Sequence, residues 1–189
     1  MKKLDSNVWK LNVDSNVYLL DVGEWIVIDC GPMASHDEVK TELNKVVDLG
    51  EVKKVILTHI HYDHCGNVDL FPNAEFFSSK KDIEDFKKNP LIAFSLPKEI
   101  VKMLIDKLKD IDGIKKDLGE KGFEIIDVPG HTAGSIALLY NKILFSGDCL
   151  FENGIGRYDL PNSKPDLVEE SVSKLKKLNY KILASGHDY

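Results

Sequence analysis

The sequence predicts an α/β fold: a four-layer αβ/βα sandwich, with two packed mixed β-sheets and helices outside them. Three observations lead there. Short apolar runs of strand length alternate with stretches of helical periodicity. Each half of the chain reads as a group of strands, then a helix, then one more short strand, an order that two sheets with outer helices satisfy. Residues of ligand type (His, Asp) recur just after apolar strands, so their loops are expected to meet on one edge of the sheets. With 189 residues and 43% hydrophobic content, one compact domain over 1–189 with a substantial core is expected.

Val8 to Asp29 reads as a β meander, with runs at Val17-Tyr18-Leu19-Leu20 and Trp25-Ile26-Val27-Ile28 around a turn at Gly23. Val39, Leu43, Val46 and Val47 have helical spacing, and Ser35 with Glu38 resembles a capping box. Val55-Ile56-Leu57 predicts a buried strand, and Glu75-Phe76-Phe77-Ser78 another strand. Lys81 to Lys109 is helical in pattern, broken at Asn89-Pro90 and near Pro97. The apolar group Leu91-Ile92-Ala93-Phe94 in that break is core or the wall of a pocket. Gly113, Gly119 and Gly122 predict a loop or hairpin. Strands follow at Phe123–Val128, Ile136–Tyr140 and Lys142–Phe145, with a tight loop at Pro129–Ser135. Ser146 to Asn162, rich in Gly, Asp and Asn, predicts a long functional loop. Asp166–Leu178 predicts a helix and Ile182–Ala184 a last short strand.

The densest chemistry lies in Thr58-His59-Ile60-His61-Tyr62-Asp63-His64-Cys65-Gly66, where three of the chain's six histidines and one aspartate fall within six positions. His and Asp bind transition metals at neutral pH, and core packing does not produce such a cluster. Asp29, His131, Asp148 and His187 repeat the pattern of a ligand-type residue after an apolar strand. His36 is the exception and reads as a surface residue at a helix start. Ser135 and Cys149 have no independent base to activate them as nucleophiles. The three cysteines make no disulfide framework and read as small buried residues beside site loops, with a ligand or redox role open.

The set Asp29, His59-x-His61-x-Asp63-His64, His131, Asp148 and His187 resembles the five motifs of the metallo-β-lactamase superfamily. Pro129-Gly130-His131-Thr132-Ala133-Gly134-Ser135, Ser146-Gly147-Asp148 and Gly154-Ile155-Gly156-Arg157-Tyr158-Asp159 resemble its glyoxalase II-like (hydroxyacylglutathione hydrolase-like) branch. The resemblance implies that His59, His61 and His131 hold one ion, and Asp63, His64 and His187 a second, with Asp148 bridging and Asp29 orienting the ligands. It implies two divalent ions, zinc first with iron or manganese as alternatives, and a metallo-hydrolase using a metal-bridging hydroxide. Asp63 is a candidate for proton transfer, and a small acyl compound or thioester is the expected substrate. Arg157 either anchors a substrate carboxylate or pairs with Asp159; Tyr62, Tyr158 and Phe94 are candidate residues at the mouth. The resemblance leaves open a persulfide dioxygenase with one iron on His59, His131 and Asp148, and a lactonase or β-lactamase on the same site. The C-terminal helical region of full-length glyoxalase II, with its glutathione contacts, has no counterpart after His187. Chain ends fray, so the ion served by His187 is expected to be the more weakly held unless Tyr189 is tied down.

Charge narrows the partners. Thirty-one acidic and 25 basic residues give −6, and the lysine pairs are interleaved with acids, so no nucleic-acid-binding face is expected. No apolar run approaches a membrane span, and no signal peptide is visible, so a cytoplasmic protein is the default expectation. The oligomeric state is not legible.

Overall fold

The computed structural model describes residues 1–90 and 95–188. Leu91 to Phe94 and Tyr189 lie outside the described residues, and with them the expectations for Phe94 and for a tied-down Tyr189.

Seven strands form the first sheet in sequence order: β1 (Lys2–Asp5), β2 (Val8–Asn12), β3 (Asn16–Asp21), β4 (Trp25–Ile28), β5 (Val52–Ile56), β6 (Glu75–Ser78) and β7 (Leu108–Asp110). Pairing is antiparallel up to β4 and parallel from β4 to β7. The second sheet has the order β11 (Ile182–Ser185), β10 (Ile143–Gly147), β9 (Ile136–Tyr140), β8 (Phe123–Asp127). Only its β10–β11 pair is parallel.

The two-residue period of the strands builds the layers. In β3, Val17 and Leu19 face a core shared with the outer helices, while Tyr18 and Leu20 face the other sheet. In β10, Ile143 and Phe145 face that inter-sheet core and Leu144 faces outward. Both faces are buried, which is why these strands read as unbroken apolar runs. The outer layers are α1 (His36–Leu43), α3 (Lys80–Lys88) and α4 (Lys98–Lys107) on the first sheet and α6 (Val168–Lys176) on the second. Val39, Leu43, Ile83, Phe86, Ile100 and Leu104 anchor the first set, and Leu175 anchors α6.

Three expectations need correction. Ser35 makes no side-chain cap, because a 3-10 turn, Met33–Ser35, runs straight into α1. The glycine-marked segment after β7 is helical, with a 3-10 turn at Ile111–Ile114 and then α5 (Lys115–Glu120). Burial of Ile111 and Leu118 in the inter-sheet core outweighs the propensity cost of Gly119, about 1 kcal/mol. Strands β1 and β7 were not expected; one is half exposed and the other only three residues long.

Candidate metal centre

The loops that follow β4, β5, β8, β10 and β11 converge on one edge of the sandwich. Asp29 follows β4 directly, His59 and His61 follow β5, His131 lies in the β8–β9 loop, Asp148 follows β10, and His187 follows β11. One helical turn, α2 (Tyr62–Cys65), presents Asp63 and His64. Asp29 takes a left-handed backbone conformation (φ 53°), which Asp tolerates better than most residues. The bend turns its carboxylate onto Thr58 and His64.

Each imidazole is held by one ring nitrogen and offers the other to the cluster. His131 donates Nδ1–H to the Arg157 carbonyl at 2.6 Å, and His187 donates Nδ1–H to the Asp14 carbonyl at 2.9 Å. His64 donates Nδ1–H to Asp29 Oδ2 at 2.9 Å. His59 Nδ1 lies 3.1 Å from Thr58 Oγ1, whose hydroxyl donates to Asp29 Oδ2 at 2.8 Å. His61 is reversed: Nε2 faces Asn162 Oδ1 at 3.4 Å and Nδ1 faces inward. These partners leave the other ring nitrogen facing the cluster, and on His59, His61 and His131, whose pKa values are lowered, it carries a lone pair.

The inner atoms crowd together. His131 Nε2 lies 2.8 Å from His61 Nδ1 and 3.2 Å from His59 Nε2. Asp148 sits between two groups, with Oδ1 3.3 Å from His64 Nε2 and Oδ2 3.5 Å from both His131 and His187 Nε2. Asp63 Oδ2 is 3.2 Å from His187 Nε2. Three trios, His59–His61–His131, His59–His64–Asp148 and Asp63–His64–His187, each bring ligand atoms within 4.8 Å of one another. His64 Nε2 and Asp148 Oδ1 are buried without a hydrogen-bond partner. Lone pairs facing lone pairs, beside orphaned buried polar atoms, are unfavourable alone and fit a cation between them. The donor set therefore fits metal ions.

The electrostatics split the histidines. Burial holds His59 well below its ordinary pKa, and burial with the neighbouring His131 brings His61 down to about 4. His131 is lowered mainly by burial. For His64 burial is outweighed by the charges of Asp148, Asp29 and Asp63, and the pKa rises well above the usual value. For His187 burial is outweighed by hydrogen bonds to Asp148 and Asp63, and the pKa rises to about 10.

A pocket of about 650 Å³ opens over the cluster. Tyr62, Phe151, Ile155, Leu160 and Asn162 help to line it, as does Arg157. The Arg157 side chain is exposed and pairs with Asp159 through two bonds of 2.9 and 3.0 Å. Tyr158, 46% exposed, lines a neighbouring groove with Pro165, Val168 and Val172.

A family model described as "Metallo-beta-lactamase superfamily" matches residues 12–187. The chain belongs to the metallo-beta-lactamase superfamily. Among curated members, the probable metallo-hydrolase MJ0888 of Methanocaldococcus jannaschii is 29% identical over 95% of this chain and 92% of its own length. Hydroxyacylglutathione hydrolase GloC of Haemophilus influenzae is 36% identical over 72% of this chain and 68% of its own. The chain spans 47% of the hydroxyacylglutathione hydrolase of Alkalilimnicola ehrlichii, at 32% identity. Among solved structures, the fold matches TTHA1623 in a di-iron-bound form, with TM-score 0.74, 24% identity and coverage of 96% of this chain and 93% of that one.

The structure brings all seven sequence-derived ligand candidates and Asp29 together at one edge of the sandwich. Sequence reasoning missed the supports. The Asp14 carbonyl and the side chains of Ser15, Asn16 and Asp82 hold the site loops. The chain around His187 is tied down on both sides. Asn16 donates its amide N–H to Gly186 O at 2.6 Å and its side-chain N–H to Ser185 O and Asp188 Oδ1 at 2.9 Å each. Lys10 pairs with Asp188. Among the described residues no helix is long and apolar enough to cross a membrane.

Proposed function

We propose that this metallo-hydrolase cleaves a small thioester with water, at a centre of two divalent ions. His59, His61 and His131 would hold one ion, Asp63, His64 and His187 the other, and Asp148 would serve both. The observation that carries this reading is the doubled donor set, two trios, buried but for the half-buried Asp63, joined through the two oxygens of Asp148. Bound there, such ions supply an acidified water nucleophile and a Lewis acid for the acyl oxygen.

The chain's own residues do the rest. Asp29 holds His64 and, through Thr58, His59 in their productive rotamers. Asp63, at the pocket wall beside His187, would be the carboxylate placed to take up a proton. Burial raises its pKa, but the charge of His64 and the hydrogen bond from His187 outweigh that and hold it ionised. Phe151, Ile155 and Leu160 give the acyl part an apolar wall. A thiolate is a better leaving group than an amine, and relatives named hydroxyacylglutathione hydrolase support a thioester over an amide. Arg157 at the rim exchanges Asp159 for an anionic group of the substrate. Zinc suits the imidazole-rich donor set.

The test is a hydrolysis screen on thioesters, lactones and β-lactams, with metal content measured on protein purified without added metal. The expected result is turnover of a thioester with about two ions per chain. One iron per chain with oxygen uptake on a persulfide would sink the hydrolase reading.

A further inference from the structure

Asp82 stands outside the donor set and has no role in the chemistry proposed above. It is a carboxylate only 3% exposed, in the first turn of α3, on the side of the sandwich that carries the three-histidine trio. No lysine or arginine pairs with it among the described residues. Its two oxygens accept backbone N–H groups from two separate loops: Oδ2 from Ile60 at 3.0 Å and Oδ1 from Gly134 at 3.1 Å. Ile60 lies between His59 and His61, and Gly134 lies on the loop that carries His131.

An acid at this helix position ordinarily reaches back to its own cap or sits in solvent against the helix dipole. Asp82 does neither. Ser79 caps α3 by accepting from Asp82 N–H at 3.1 Å, and it donates its hydroxyl to the Gly134 carbonyl at 2.6 Å. The Gly134 peptide groups are thus held on both sides by the start of α3. The approach is so close that a Cβ on Gly134 would lie 2.4 Å from both Asp82 N and Ser79 Oγ. A buried ionised carboxylate is costly unless charge-assisted bonds satisfy it, and here those bonds go to ligand-bearing loops.

The other trio is supported elsewhere, by the turn between β2 and β3. The Asp14 carbonyl accepts from His187, Ser15 Oγ donates to the Asp63 carbonyl, and Asn16 holds the strand end before His187. Apart from Asp29, which serves His64 and, through Thr58, His59, the two halves of the centre therefore rest on different chain segments.

We infer that Asp82 is the positioning residue of the three-histidine half of the centre, setting the register of the His59–His61 loop against the His131 loop and so governing the affinity of one ion without the other. The inference rests on the two-ion reading above.

Asp82→Asn is the informative substitution. It keeps the shape, but either orientation of the amide turns an NH2 toward one of the two N–H donors. Zinc affinity is measured by competition with a chromophoric chelator in two backgrounds, His187→Ala and His61→Ala, which leave one half intact each. The expected result is that D82N weakens zinc about 10- to 100-fold in the His187→Ala background and less than about 3-fold in the His61→Ala background. Asn16→Ala is expected to reverse that order. Melting temperatures accompany each titration; should D82N fail to fold, Ser79→Ala, which loses the Gly134 carbonyl bond and the cap bond from Asp82 N–H but keeps the Asp82 carboxylate, is expected to give a smaller fall confined to the same background. Equal weakening in both backgrounds, or none in either, would overturn the role of Asp82 while leaving the two-ion reading intact. A parent protein that takes up fewer than two ions would overturn that reading, and this inference with it.

Discussion

Stripping the protein with a chelator and returning zinc should release protons from one half of the centre and none from the other. A ligating imidazole must be neutral. In the three-histidine trio it already is near pH 7, because burial keeps His59, His61 and His131 below their ordinary pKa. In the other trio, His64 is held protonated chiefly by Asp148, and His187, with a pKa of about 10, by Asp148 and Asp63. For His187, at about 10, the proton must be displaced before the ring can ligate at neutral pH. Zinc entering this half should therefore release about two protons, and its apparent affinity should climb roughly 10-fold per pH unit for each proton released. The assay is isothermal titration in two buffers of different ionisation enthalpy, with the proton count taken for each step. Equal release at both steps, or none at either, would refute the reasoning. Stability of the stripped protein carries the same signature. A histidine whose folded pKa is raised contributes stability in full below its unfolded value near 6.5, and that stability is lost as pH rises through about 10. The stripped protein should melt lower at pH 10 than at pH 6, and the zinc form should not follow it.

Asp29→Asn must set its amide against one of three donors, Thr58 N–H, Thr58 Oγ1–H or His64 Nδ1–H, and should cost about 10- to 100-fold in metal affinity or kcat/KM. Parent-like values in both would refute the orienting role. Gly186→Ala would place a Cβ 2.1 Å from Asp148 Oδ1 and 2.9 Å from His64 Cε1, so zinc stoichiometry should fall while the circular dichroism of the fold persists; full zinc uptake would contradict the packing. Cys30, Cys65 and Cys149 are all buried, and burial raises every thiol, that of Cys149 to about 12. Iodoacetamide should modify none in the folded protein and all three after unfolding, read by mass.

How legible the protein was in its sequence follows from which atoms do the work. Ligands are side chains of rare types at strand ends, so His59, His61, His64, His131 and His187 announce themselves. Apolar runs such as Val17–Leu20 mark strands buried on both faces. The supports are different. Asp82 is one of 31 acidic residues, on a helix whose other acids face solvent, and only the arrival of two loops at its carboxylate distinguishes it. Asp14 acts through a main-chain carbonyl, which no residue type encodes. Segment α5 was misread because three glycines outvoted Leu118, whose burial depends on the far sheet.

The ties around His187 bear on what limits the second ion. The sequence suggested a weakly held ion because chain ends fray, a cause that does not depend on proton concentration. In the fold, Gly186 and Ser185 are bonded to Asn16, Asp188 pairs with Lys10, and the His187 ring is fixed by Asp14. The competitor the fold offers instead is a proton on His187, favoured by its hydrogen bonds to Asp148 and Asp63. The same two carboxylates attract the metal, so each proton lost returns their full charge to it. The two causes separate on one axis: a difference in affinity between the halves that narrows from pH 7 to pH 9 belongs to proton competition, and one that stays constant belongs to fraying.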